Sequence, residues 1–140
     1  MSIDLSMAIL VVDDFATMSR IMRGLLHQIG FQSVDAVCGG ASALEKLRTG
    51  KYRLVISDWN MEPISGYDLL QEIRADAALA ETRFIMVSAV SSPEHVLAAR
   101  HAGANGFIVK PFTAAALKAK IDWVFAKAGA DRARSETAAV

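Results

Sequence analysis

The 140 residues are 53% apolar and 21% charged, the balance of a soluble globular protein, with length enough for one domain and a full core. Fifteen basic residues cancel fifteen acidic ones, which excludes any global pull toward nucleic acid or an anionic membrane. One cysteine, Cys38, excludes an internal disulfide and fits a reducing compartment.

No run approaches the roughly 18 apolar residues that a membrane helix needs. The first basic residue is Arg20, so the amino terminus lacks the charged head of a signal peptide. A cytoplasmic protein without a membrane span is expected.

In chain order, strand and helix patterns alternate five times. Ala8-Ile9-Leu10-Val11-Val12 reads as a buried strand and ends in the acidic pair Asp13-Asp14. Phe15, Met18, Met22, Leu25, Leu26 and Ile29 then recur on one helical stripe, which Gly30 stops. Gln32 to Val37 alternates weakly, as an edge strand does. Ala41 to Arg48 reads as a short helix ended by Thr49-Gly50.

Tyr52 to Ser57 forms the next strand, closed by Asp58, and the loop Trp59 to Gly66 follows. A helix with Leu69, Leu70 and Ile73 comes after it. Phe84-Ile85-Met86-Val87 is a fully apolar strand ending at Ser88. Ser92-Pro93 supplies a cap and a first-turn proline for a helix running to about Ala102-Gly103. The strand Gly106 to Val109 finishes in Lys110-Pro111. Thr113 caps a last helix whose inner stripe is Leu117, Ile121, Val124 and Phe125. From Gly129 onward periodicity stops, giving a domain over residues 1–128 and a tail over 129–140.

Continuous apolar strands covered by helices on both faces imply an α/β fold with a parallel sheet. In such sheets ligands bind at the carboxyl ends of the strands. That edge would gather Asp13, Asp14, Asp58 and Lys110. Two carboxylates about 4 Å apart repel by roughly 4 kcal/mol at an effective dielectric near 20, so a proton or a cation must intervene. Oxygen ligands with room for water suit Mg²⁺ or Mn²⁺ better than zinc. Alone, Asp13-Asp14 reads equally well as a helix cap; Asp58 and Lys110 at matching strand ends favour a site.

The segments Ile9 to Phe15, Ser57 to Gly66 with its Asp58-Trp59-Asn60-Met61 core, Val87-Ser88-Ala89, and Phe107 to Phe112 together resemble the receiver domain of bacterial response regulators, most closely single-domain chemotaxis regulators of the CheY kind. The likeness spans about residues 5 to 127. It implies a doubly wound, flavodoxin-like sheet of five parallel strands in the order 2-1-3-4-5, with five helices. It also implies that Asp58 accepts a phosphoryl group from a sensor histidine kinase. Asp14, Asp58 and the backbone carbonyl of Asn60 would hold Mg²⁺, with Asp13 acting through a bound water. Lys110 would pair with the phosphoryl oxygens, and Ser88 would hydrogen-bond one of them. Phe107 would be the switch that follows Ser88 inward, and the Lys110–Pro111 peptide would be cis.

Such a protein is a signalling switch that catalyses only its own phosphorylation and dephosphorylation. With no output or DNA-binding domain expected, the signal would leave through about Pro93 to Lys127. The implied target is a flagellar motor-switch protein; the alternative is a phosphorelay to a histidine phosphotransfer protein.

Four positions depart from the commonest pattern of the family. Pro63 is shifted by one in Met61-Glu62-Pro63, Ser88 stands for threonine, Phe107 for tyrosine, and Val90 for a polar residue near the hydrolytic water. An aspartyl phosphohydrolase would carry a second aspartate where Asn60 stands, and an amide cannot shuttle a proton. No P-loop string occurs. An inert adaptor would have lost an acid or the lysine, and all are present. His27, His95 and His101 are expected at the surface or partly packed, with Trp59 shielding the pocket edge. Lys127, Arg132 and Arg134 are expected to be solvated, rather than to bind an anionic nucleotide second messenger.

Overall fold

The computed structural model describes residues 3–126. Its elements alternate as β1 (Ala8–Val12), α1 (Ala16–Ile29), β2 (Ser33–Val37), α2 (Gly40–Thr49), β3 (Tyr52–Asp58), α3 (Gly66–Ala75), β4 (Arg83–Ser88), α4 (Pro93–Ala102), β5 (Gly106–Val109) and α5 (Ala114–Ala126). The strands pair in parallel in the order β2-β1-β3-β4-β5, the order that the resemblance implied. β2 and β5 are the edges, which accounts for the weak alternation of the first and the shortness of the second. The domain limit at residue 128 and the tail, with Lys127, Arg132 and Arg134, lie outside the described residues.

Each central strand is apolar on both faces because each face has its own helical layer. Leu10, Val12, Val55, Phe84 and Met86 point into a core with Leu44, Leu47, Leu69, Leu70 and Ile73 of α2 and α3. Their neighbours Ile9, Val11, Leu54, Ile56, Ile85 and Val87 point the other way, onto Met22 and Leu26 of α1 and Leu117, Ile121 and Val124 of α5. The period of two along each strand therefore fills two cores.

α1 departs from expectation at its start. Phe15 is 61% exposed, because it occupies the extended N-cap position and stands outside the helical stripe. Ser19, Met22 and Leu26 carry the buried face instead. α4 begins at Ser92-Pro93 as expected, with the Ser92 hydroxyl accepting from the His95 amide. Its grip on the core is thin, since Ala99 is its one fully buried residue. The Lys110–Pro111 peptide is cis, and so is Glu62–Pro63.

A tie at the amino edge of the sheet holds these layers together. From α3, the Arg74 guanidinium donates to the carbonyls of Ala80, Thr82 and Gly103 and to Oδ1 of Asn105. The same Asn105 oxygen accepts from the Phe84 amide. Burial lowers the Arg74 pKa to about 10, with Arg83 adding to the effect, yet it stays charged at neutral pH. Among the described residues no helix is long and apolar enough to cross a membrane.

Candidate functional site

Strand pairing carries on past the strand ends and fixes the carboxyl edge. The Asp13 amide donates to the Val37 carbonyl, that of Trp59 to Val87, and that of Lys110 to Ser88, at 3.2, 2.9 and 2.9 Å. Asp13, Asp58 and Lys110 are thereby locked to neighbouring strands. Asp58 is itself the last residue of β3, in register with Val87.

The loop after Asp58 closes tightly on itself. The Gly66 amide donates to the Trp59 carbonyl at 2.8 Å. A Cβ at position 66 would fall 2.2 Å from the Asp58 carbonyl oxygen, so no residue but glycine allows this approach. Ser65 and Asp68 complete a reciprocal cap that starts α3 at that point.

Three carboxylates meet here. Oxygens of Asp13, Asp14 and Asp58 all lie within 4.8 Å of one another. Asp13 and Asp58 are buried, while Asp14 is exposed and its Oδ2 accepts weakly from the Glu62 amide at 3.4 Å. Nζ of Lys110 stands 2.8 Å from Oδ1 of Asp58. Burial raises the Asp13 pKa; the Phe15 amide at its Oδ1 works against the rise, Asp58 and Asp14 add to it, and Lys110 opposes it. One ammonium thus faces three acids. An all-oxygen donor set with surplus negative charge is chemically matched to a hard divalent cation. Neither the exposed Cys38 nor any histidine belongs to the cluster.

Ser88, on the neighbouring strand end, accepts a hydrogen bond from the Val90 amide at 3.0 Å. Its hydroxyl also pairs with Nε2 of His95 at 3.2 Å. The His95 ring stacks on Trp59, with centroids 3.6 Å apart and planes 23° apart, and Trp59 stacks in turn on Tyr67. Phe107 meets both Trp59 and His95 edge-on. It is only 6% exposed, so the position expected to turn inward already lies inside. Asn60 and Val90 are exposed beside the pocket.

His27 and His101 are exposed and His95 is partly packed, as anticipated, but His95 also touches the site through Ser88 and Trp59. Trp59, expected to shield the pocket edge, is half-buried and is one member of a row of rings. The cap and proline at Ser92-Pro93 mark His95 as the third residue of α4, but its approach to Ser88 depends on the course of the loop between them.

The chain matches the family model described as the response regulator receiver domain over residues 9–122. It is 46% identical over 120 residues to the chemotaxis protein CheY-3 of Vibrio cholerae, covering 86% of this chain and 92% of that one. It is 43% identical over 119 residues to the chemotaxis protein CheY of Pseudomonas aeruginosa, covering 85% and 96%. Among solved structures, CheY4 of Vibrio cholerae superposes with a TM-score of 0.80 at 27% identity, over 85% of this chain and 98% of that one. The response regulator TrrA of Thermotoga maritima, in complex with Mg²⁺ and BeF, gives 0.74 at 32% identity, over 84% and 98%.

Proposed function

The chain belongs to the response regulator receiver domain family, and from that premise we propose that Asp58 takes a phosphoryl group from a sensor histidine kinase and switches the domain in a chemotaxis pathway. The observation that carries this reading is the Lys110–Asp58 pair at 2.8 Å with Asp13 and Asp14 in reach of the same point. A carboxylate nucleophile needs its own charge and that of the incoming group offset. Lys110 supplies part of that charge from the chain itself.

Mg²⁺, or Mn²⁺ in its place, fits the oxygen donors of Asp13, Asp14, Asp58 and the Asn60 carbonyl, and when bound supplies the remaining positive charge. The other roles fall to side chains. An Asp58 oxygen attacks phosphorus as the bond from phosphorus to the kinase imidazole breaks. Lys110 holds the transferred oxygens, and Ser88 donates its hydroxyl proton to one of them. Asn60, lacking an exchangeable acid proton, leaves the acyl phosphate to slow attack by water. The protein is therefore a switch acting on its own aspartate rather than an enzyme turning over a substrate.

The outgoing surface is α4, β5 and α5, where Leu97 and Val109 are exposed apolar residues. A flagellar motor-switch protein in the cytoplasm is the proposed target, supported by the chemotaxis names of the relatives. Capture of that protein by the chain should strengthen when Mg²⁺ and BeF₃⁻ are added, BeF₃⁻ standing in for the phosphoryl group. Equal capture with and without them contradicts the switch.

A further inference from the structure

Ser88 and His95 make a contact that the phosphoryl-accepting role does not itself require. A serine hydroxyl has one proton to donate and two lone pairs that accept. One lone pair of Ser88 is taken by the Val90 amide at 3.0 Å. Where Nε2 of His95, 3.2 Å away, is the acceptor, the proton has two claimants, that nitrogen and a phosphoryl oxygen on Asp58 of the adjacent strand. It cannot serve both.

We propose that His95 is a positioning residue that holds the Ser88 hydroxyl in the resting protein, and that phosphorylation of Asp58 takes this hydroxyl from Nε2 and so frees the first turn of α4. The proposal rests on the function assigned to Asp58 above. In this assignment the resting His95 ring carries a proton on Nδ1 and its Nε2 accepts from Ser88. On phosphorylation the Ser88 proton turns to a phosphoryl oxygen, and Nε2 loses its partner.

The consequence for α4 follows from how weakly that helix is held. Ala99 is its one fully buried residue. Its start is fixed by the Ser92 cap on the His95 amide and by the His95 side chain, which reaches Ser88 and lies flat on Trp59. Losing the Ser88 contact leaves this first turn held by the Ser92 cap and the stack on Trp59, so its tilt or order changes more readily than in a deeply packed helix. Trp59 and Phe107, both in contact with the same ring, carry the change toward the nucleophile's loop and toward β5. His95 thus links a hydroxyl in the site with the helix that meets the partner.

The test uses the whole chain with Mg²⁺ and BeF₃⁻. Side-chain nitrogen NMR of the parent should show an Nδ1–H tautomer whose Nε2 resonance moves toward that of an unbonded ring nitrogen when BeF₃⁻ saturates the site. His95→Phe keeps a ring on Trp59 but removes the competing acceptor. A neutral hydrogen bond of this kind shifts an equilibrium by about threefold to tenfold, so half-saturation should need that much less BeF₃⁻ in His95→Phe. His95→Gln, which restores an acceptor, should return it toward the parent value.

An Nε2–H tautomer at rest, an Nε2 resonance indifferent to BeF₃⁻, or a half-saturation in His95→Phe equal to or above that of the parent overturns the proposal while leaving Asp58 as phosphoacceptor. If the parent takes up neither BeF₃⁻ nor phosphoryl group, the function assigned to Asp58 fails, and the role of His95 with it.

Discussion

Nζ of Lys110 lies 2.8 Å from Oδ1 of Asp58, with the aspartate side chain almost enclosed and the lysine about a quarter exposed. The nucleophile therefore waits with one counter-charge in place and two further acids beside it. Lys110→Met should leave Asp58 buried and unpaired, costing about 1–3 kcal/mol in metal-free buffer once the lysine's solvent exposure is allowed for. Adding Asp58→Asn to that variant should recover most of the loss. Chemical denaturation of the four proteins of this cycle checks it, and equal losses from Lys110→Met with and without Asp58 refute the pairing.

Asp13 carries a second signature of the crowded acids. Burial, opposed by the Phe15 amide and reinforced by Asp58, lifts its pKa above the usual value. A raised folded-state value means that the fold binds this proton more tightly than the unfolded chain does. The stability so gained is complete below the ordinary aspartate value and is lost as pH rises through the raised one. At neutral pH the benefit is gone, so Asp13→Asn should melt a few degrees higher than the parent in the presence of a chelator. The difference should vanish as the pH falls below about 4. With Mg²⁺ added, the parent should gain more than the variant. A variant less stable than the parent in chelator at neutral pH contradicts this account.

Gly66 serves the nucleophile's loop through absence of a side chain. Because an added Cβ would meet the Asp58 carbonyl oxygen at 2.2 Å, Gly66→Ala must displace backbone on one side or the other. A loss of about 1–3 kcal/mol is expected from such overpacking, together with slower labelling of Asp58. Thermal melts and acetyl phosphate labelling measure both. An alanine variant with parent-like stability and labelling refutes the close approach.

Val90 follows Ser88 by two residues and is 50% exposed beside the pocket. Its side chain offers no hydrogen bond to a water lining up behind phosphorus, whereas the exposed Asn60, two residues past Asp58, can orient one. Val90→Glu should therefore speed loss of the phosphoryl group while leaving its uptake intact. A decay followed after removal of the phosphodonor decides the matter, and an unchanged or slower rate in the variant contradicts it.

The strands and most helices were legible because the two-layer packing leaves strands apolar on both faces and helices apolar on one. The four charged positions of the site were legible for a different reason: an acid or a lysine at the end of a buried strand falls at the carboxyl edge of a parallel sheet. Phe15 misled because an aromatic residue at helical spacing carries no mark of lying just before the first turn. Arg74 escaped notice because its acceptors are three main-chain carbonyls and Asn105, spread over about thirty residues of chain, and carbonyls have no sequence signature. His95 escaped notice because its partner is a lone hydroxyl seven residues away, across a loop whose course only the fold supplies.

The most direct test of the central claim is the site of phosphoryl attachment. After incubation with acetyl phosphate and Mg²⁺, intact-mass measurement should show the parent gaining one phosphoryl group that hydroxylamine removes, with Trp59 fluorescence changing in step. Asp58→Asn should gain none, and Asp14→Ala should gain less and bind Mg²⁺ more weakly. Labelling of Asp58→Asn to the same extent as the parent contradicts the account.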